Sequence, residues 1–153
     1  MIPKIKSIFI VAGEPSGDIH AAKLVSSLKN LSPKTKFFGN GGDKMADSGV
    51  KIIHHINDLS VMGFIEVVKH LPRLLHIIEK TLSVIKNINP DKVILVDYPG
   101  FNLRLAKKIK KLKMDIPITY FILPQLWAWK ENRIKIMKKT IDQSISIFPF
   151  ESE

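Results

Sequence analysis

The sequence predicts an α/β fold: a Rossmann-like parallel sheet with helices on both faces. Short apolar runs, such as residues 5–12 and 92–96, alternate along the chain with helical patterns. Their central parts, IFIVA at 8–12 and VILV at 93–96, are continuously apolar rather than alternating, which is typical of strands buried on both faces. The chain has 153 residues, 45% hydrophobic and 25% charged, enough for one domain with a buried core.

The first third of the chain predicts three strands and two helices. Residues 5–12 form a strand that Gly13 ends. A helix follows, because Ala21, Leu24, Val25 and Leu28 recur at helical spacing, and Asn30, Ser32 and Pro33 end it. We then expect a strand over 35–38, a tight turn over 39–42, a short helix over 44–48 and a strand over 50–54.

The remainder continues the alternation of helices and strands. Residues 59–90 are apolar with a helical period, and Pro72 within them predicts two helices that meet near residues 70–72, the second over 73–87. The further elements are a strand over 92–96, a helix marked by Leu105, Ile109 and Leu112, a strand over 116–123, a basic helix over 131–139 and a strand over 143–148.

Composition limits the classes of partner. The net charge is +10, which indicates either solubility or an anionic partner. Aromatic residues are not interleaved with the basic ones, so we do not expect a nucleic-acid partner. The chain has no cysteine, and the spacing of its histidines does not suit a metal site, so no metal or cofactor is expected. The N-terminal apolar run is too short for a signal peptide, and no stretch is long enough to span a membrane.

Three loops at the predicted carboxyl ends of strands carry unusual residues: 13–18, 97–102 and 124–130. Ligands of open parallel sheets bind outside these ends. In the first loop, Gly13 and Gly17 allow a ligand to approach, and Ser16 or Asp18 is expected to cap the next helix. A capped strand-to-helix turn without a ligand is the alternative, and no P-loop pattern is present.

The second and third loops offer a base and an aromatic surface. Asp97 follows a buried strand, where partial desolvation raises a carboxyl pKa toward the range of a general base. The alternative is a carboxylate that only shapes the turn. Asn102 orients a ligand or caps the next helix. Trp127 and Trp129 form a sugar or acyl platform, or seal the core.

Five motifs in order resemble the lipid-A-disaccharide synthase family. They are AGEPSGD at 12–18, LSVMGFIEVVKHLPRLL at 59–75, NPDKVILVDYPGFNLRLAKKIK at 89–110, PQLWAWKENRIKIM at 124–137 and FPFE at 148–151. The resemblance covers essentially the whole chain. Tyr98 and Gly100 depart from the family pattern around Asp97, and leave Asp97 itself in place.

The resemblance implies a GT-B glycosyltransferase of which residues 1–153 form the acceptor-side domain. The donor-nucleotide domain is then missing or on a separate chain. The implied reaction transfers diacylglucosamine from UDP-2,3-diacylglucosamine to the 6-hydroxyl of lipid X, with inversion and without a metal. Asp97 stands at the position of the general base and Glu14 at another active-site acid. The expected substrate-binding residues are Gly13, Ser16, Gly17, Asp18, Met62, Asn102 and Trp127.

The resemblance also gives the middle segment a membrane role. Its expected acyl or membrane contacts are Val61, Met62, Phe64, Ile65, Val68, Lys69 and Arg73, where an apolar side enters lipid and cations meet headgroups. Ordinary packing of the helix on the sheet is the alternative. The implied partners are lipid X, UDP-diacylglucosamine and the anionic inner membrane of a Gram-negative bacterium, with the protein peripheral on its cytoplasmic side. A truncated or split-gene module that binds phosphorylated glycolipid without catalysis is the alternative function. A nucleotide-binding regulator is disfavoured, because no P-loop is present.

Overall fold

Six parallel strands form one sheet at the centre of the part of the chain that the structure describes. The computed structural model describes residues 4–59, 64–122 and 131–145, with the main chain only for 64–68. The strands are β1 (Ser7–Ala12), β2 (Lys36–Gly41), β3 (Val50–His55), β4 (Lys92–Val96), β5 (Ile118–Phe121) and β6 (Gln143–Ile145). Their order is β3-β2-β1-β4-β5-β6. Every neighbouring pair is parallel, which confirms the predicted fold class.

Helices cover both faces of this sheet. They are α1 (Pro15–Leu31), α2 (Asp43–Asp47), α3 (Ile56–Leu59), α4 (Phe64–Ile88), α5 (Pro99–Lys111) and α6 (Glu131–Thr140). One core cluster joins the sheet to α1 and α2, and a second joins it to α4, α5 and α6. Successive residues of β1 alternate between the clusters: Ile10 belongs to the first and Phe9 and Val11 to the second. Burial on both faces explains why the central strands β1 and β4 are apolar over most of their length.

The predicted tight turn over residues 39–42 is wrong, because β2 continues to Gly41. A Cβ atom on Gly39 would lie 1.8 Å from the carbonyl oxygen of Ile10 on β1. The glycine therefore permits close contact between neighbouring strands, a requirement that resembles a turn signal in the sequence.

The predicted break near residues 70–72 is also wrong, since α4 continues through Pro72 as one helix. A proline inside a helix removes one main-chain donor. The rest of α4 compensates by packing against the sheet, with Leu74, Ile77, Ile78, Leu82 and Ile85 all buried. Thr81 adds a polar contact, since its hydroxyl accepts a 2.9 Å hydrogen bond from the buried Asn40 amide of β2.

The other predicted elements are present with shifted ends. The strand over 92–96 is confirmed, and the helix over 131–139 extends by one residue. The expected strand over 116–123 is shorter as β5, and the part of the last strand beyond residue 145 lies outside the described residues. Among the helices that are described, none is long and apolar enough to cross a membrane.

Candidate active site

The first and second loops meet at the centre of the sheet. β1 pairs with β4, and Ala12 lies opposite Val96 at the ends of the two strands. Asp97 follows the end of β4 directly, and Glu14 follows the end of β1 after one residue, Gly13. The strand order reverses between β1 and β4, and ligands of doubly wound sheets bind at this switch point. The topology therefore brings two carboxylates to the position where such folds bind ligands.

The two carboxylates interact electrostatically. Partial burial of its carboxyl group raises the pKa of Glu14, and the neighbouring charge of Asp97 raises it further. Glu14 as a whole residue is exposed, so water still reaches part of the side chain. Two like charges at one site disfavour joint ionisation. The pair can therefore hold a proton at a higher pH than an isolated glutamate would.

The main chain turns sharply at Asp97. Its φ is 47°, and that of Tyr98 is 46°, both in the left-handed region that favours glycine. Of the described non-glycine residues with positive φ, Asn89 and Lys113 lie just beyond helix ends, where this conformation is common. The pair at the end of β4 instead lies at the candidate site.

Hydrogen bonds from α5 and β5 hold this turn. The Asn102 amide donates to the carbonyl oxygens of Val96, at 3.2 Å, and Asp97, at 2.8 Å. The Tyr120 hydroxyl donates to the same carbonyl of Asp97. The main-chain N–H of Asp97 donates to the Phe121 carbonyl at 3.1 Å, which keeps β4 paired to β5 up to the turn.

Tyr98 joins the two loops. A Cβ atom on Gly13 would lie 2.1 Å from the Tyr98 ring, so the glycine makes room for the aromatic side chain. The ring also stacks on Phe101, with a centroid separation of 6.3 Å, and its hydroxyl donates to the Leu59 carbonyl. Burial and the charge of Glu14 raise the pKa of Tyr98.

The prediction that Ser16 or Asp18 caps α1 is wrong. The helix begins at Pro15 with Glu14 at the N-cap position, and no side chain bonds the cap. Proline suits the first position of the helix because its missing N–H would be unpaired there in any case. Ser16 is exposed in the first turn and stays a candidate for substrate contact.

Asp18 instead caps the following helix, α2. It is 3% exposed. One of its oxygens accepts from the N–H groups of Gly42 and Met45, at 2.8 and 3.0 Å, and the other from Lys44 at 3.1 Å. All three bonds are internal, which does not support a substrate-binding role for this carboxylate.

Two more predicted substrate-binding residues lie inside the protein. A Cβ atom on Gly17 would lie 3.4 Å from the Ala12 Cβ, so Gly17 packs the start of α1 against the sheet. Asn102 has no exposed surface, and its amide bonds the main chain, so this residue is also better explained by structure than by ligand contact. It does not cap α5, which begins three residues earlier.

Sequence reasoning missed Tyr120 and Arg133. Burial raises the pKa of Tyr120 strongly, the charge of Asp97 raises it further, and Arg133 lowers it. Arg133 is half-buried in the first turn of α6, so a cation reaches the neighbourhood of Asp97. Arg133 follows the third predicted loop, 124–130, and lies at the start of a predicted helix; this position was the signal that could have identified it.

Most of the other predicted site residues lie where the structure does not describe the side chain. Val61, Met62 and Trp127 lie outside the described residues, as do the side chains of Phe64, Ile65 and Val68. Lys69 is exposed. Arg73 is also exposed and forms a 3.0 Å ion pair with Asp58 of α3. Within the described parts of the chain, acidic and histidine side chains form no cluster suited to a metal.

A sequence model of the lipid-A-disaccharide synthetase family matches residues 8–153. The chain belongs to this family. Among curated relatives, the lipid-A-disaccharide synthase of Myxococcus xanthus is 43% identical over 95% of this chain. That of Coxiella burnetii is 40% identical over 97%, and the synthase 1 of Legionella pneumophila is 43% identical over 98%. The family resemblance is thus confirmed.

The family member described here spans only 38% to 39% of the length of these relatives. Solved structures add a likeness of fold. The UDP-GlcNAc 2-epimerase of Neisseria meningitidis, bound to UDP-GlcNAc, aligns with a TM-score of 0.62 at 12% identity, over 92% of this chain and 39% of that one. A second UDP-N-acetylglucosamine 2-epimerase aligns equally well, over 94% and 42%. At this identity the likeness supports the Rossmann-like α/β fold alone.

Proposed function

We propose that this chain is the N-terminal, acceptor-side domain of a lipid-A-disaccharide synthase. The reaction transfers diacylglucosamine from UDP-2,3-diacylglucosamine to the 6-hydroxyl of lipid X. Its products are lipid A disaccharide 1-phosphate and UDP. The family membership and the acid pair at the switch point of the sheet together support this proposal.

Asp97 is the general base. Its carboxylate takes the proton of the acceptor 6-hydroxyl as the oxygen attacks the anomeric carbon of the donor. The bond from that carbon to the diphosphate breaks, UDP leaves with the electron pair, and the configuration inverts. The single observation that carries this assignment is the position of Asp97, at the end of a buried central strand beside a second carboxylate. A positioned base contributes roughly 10²- to 10⁴-fold to such a transfer.

Glu14 and Arg133 complete the acceptor side. The raised pKa of Glu14 suits a side chain that donates or shares a proton with a sugar hydroxyl, since its carboxyl group keeps a proton to a higher pH than an isolated glutamate does. Arg133 supplies positive charge near Asp97 and is a candidate partner for the acceptor 1-phosphate. In this proposal the donor nucleotide binds a second domain, in the part of the relatives' length that this chain does not span.

The lipid substrates and the membrane meet the protein at the start of α4. This end of the helix follows α3 and lies at the carboxyl edge of the sheet, as Asp97 does. Exposed Lys69 is available for anionic headgroups, while the cation of Arg73 is shared with Asp58. The excess of positive charge supports a peripheral association with an anionic inner membrane.

A chimera tests the proposed function. This chain would replace the matching region of the Myxococcus xanthus relative, and disaccharide formation from UDP-2,3-diacylglucosamine and lipid X would be measured. We expect an active chimera in which Asp97→Asn lowers kcat by roughly 10²- to 10⁴-fold. Asp115→Asn is the matched control, because it changes an exposed aspartate that precedes β5, at the opposite edge of the sheet.

A measurement of lipid X binding to the chain alone helps to distinguish the enzyme from the alternative function, a glycolipid-binding module. A non-catalytic glycolipid module would bind lipid X, and its chimera would make no disaccharide. That result would replace the enzyme proposal with the binding module, whereas a chimera that stays equally active with Asp97→Asn would overturn only the assignment of Asp97 as base.

A further inference from the structure

We propose that Asn102 and Tyr120 are positioning residues that fix the main chain at Asp97 and so orient its carboxylate toward the reacting hydroxyl. This inference rests on the proposed role of Asp97 as base. Neither residue is assigned to contact the reacting atoms.

The turn at Asp97 needs such support. Asp97 and Tyr98 are two successive non-glycine residues in the strained left-handed region, and such residues persist only where neighbouring groups hold them. Aspartate tolerates this region better than most residues, whereas a bulky tyrosine does not. The direction of the Asp97 side chain follows from this backbone conformation, so whatever holds the turn also sets the carboxylate.

Both side chains converge on one carbonyl. The Asp97 oxygen accepts from the Asn102 amide of α5, at 2.8 Å, and from the Tyr120 hydroxyl of β5. The Asn102 amide also donates to the Val96 carbonyl, so it holds the peptide group before Asp97 as well as the one after it. Two different elements, the helix α5 and the strand β5, therefore hold the same atom.

Burial separates this role from substrate contact. Asn102 and Tyr120 are both 0% exposed, so neither presents an atom to a ligand in the cleft. The Oδ1 atom of Asn102 is buried and has no hydrogen-bond partner among the described residues. Burying an amide that is only half satisfied is costly. The two hydrogen bonds that the Asn102 amide donates to the turn are the benefit that offsets this cost.

Tyr120→Phe tests the inference with the smallest change, because it removes only the hydroxyl. In the active chimera we expect kcat to fall roughly 10- to 100-fold with little change in KM, since misplacement of a catalytic group affects the chemical step. Thr35→Val is the matched control. It removes a buried hydroxyl that also donates to a main-chain carbonyl, that of Ile5, at the opposite edge of the sheet.

A second readout uses the chain without substrate. Nuclear magnetic resonance titration of the Glu14 carboxyl carbon reports the charge of Asp97 beside it. We expect the Glu14 midpoint to move toward its ordinary value in Tyr120→Phe, and to stay unchanged in Thr35→Val. Asn102→Ser is a second variant with the same expected direction.

The outcomes separate this inference from the proposed function. If Tyr120→Phe and Asn102→Ser match Thr35→Val in both the titration and kcat, the two residues only stabilise the fold and the inference is wrong. If the Glu14 midpoint moves but Asp97→Asn keeps full activity, the positioning stands and the assignment of Asp97 as base fails.

Discussion

Two aspartates at the carboxyl edge of the sheet show how neighbours decide what a residue does. Asp18 is fully engaged by three main-chain N–H groups and serves the fold, whereas Asp97 lies beside a second carboxylate at the switch point. The sequence predicted the place of Asp97, because a polar residue after a buried strand is a local signal. The partners of Asp18 lie 24 to 27 residues away, so no local pattern could reveal its capping of α2.

Asp18→Asn is expected to destabilise the protein. The amide group would place a donor where one carboxylate oxygen now accepts from the Lys44 N–H. We expect a loss of about 1–3 kcal/mol in the free energy of unfolding, measured in urea. Asp47→Asn, an exposed change on α2 itself, should have little effect. Equal stability of the two variants would contradict the capping role.

Glu14→Gln is expected to stabilise the protein at pH 7 and not at pH 4. The pKa of Glu14 is raised above its ordinary value of 4.5, first by burial and then by Asp97, so ionisation disfavours the folded state. This penalty is absent below 4.5 and grows as the pH rises toward the folded pKa. Because the side chain is exposed, the gain should stay below about 1 kcal/mol.

Urea unfolding of both proteins at the two pH values measures this effect, with Glu131→Gln as an exposed control. A stability difference that is the same at both pH values would show that ionisation of Glu14 is not its cause.

At the scale of elements, the sequence predicted the strands that are buried on both faces and the order of helices between them. The prediction failed where a residue inside an element resembles, in the sequence, a turn or the end of a helix. Gly39 lies within β2 and allows the close approach of β1. Pro72 lies within α4 because packing of the helix outweighs one lost donor. Both features depend on contacts between elements, which periodicity along one element does not encode.

Gly39→Ala is expected to disrupt the pairing of β1 with β2. The new methyl group would lie 1.8 Å from the Ile10 carbonyl oxygen, and main chain cannot move aside as a side chain can. We expect a loss of roughly 3 kcal/mol or more by thermal or urea unfolding, at the upper end for overpacking. Gly100→Ala is the matched control, since nothing lies within 4 Å of its added methyl group. A stable Gly39→Ala protein would mean that the two strands are not in this register.

At the scale of the whole molecule, cations lie at both ends of the sheet, some near the carboxyl ends of the strands and others near their amino ends. The strands are parallel and α4, α5 and α6 all run opposite to them, so helices begin at the edge that carries Glu14 and Asp97 and end at the other. Lys69 lies near the start of α4, whereas Lys111 ends α5. The net charge of +10 was plain from the sequence, but its distribution relative to the site required the fold.

Lys69→Glu and Lys111→Glu therefore test how the protein meets a membrane. Both change an exposed lysine by the same charge. If the start of α4 faces lipid, Lys69→Glu should weaken binding to anionic phospholipid vesicles roughly tenfold more than Lys111→Glu. Cosedimentation at low and high salt measures this, with neutral vesicles as the control. Equal losses would indicate attraction without a preferred face.

The pairing of β1 with β4 also has a consequence for biosynthesis. Glu14 leaves the ribosome more than eighty residues before Asp97, and Ala12 cannot pair with Val96 until the long crossover through α4 has been made. A nascent chain that stops before β4 can hold its first three strands but has no acid pair. Formation of the acid pair therefore has to wait for β4, and a chaperone or protease that meets the chain before this strand is made meets a protein without the pair.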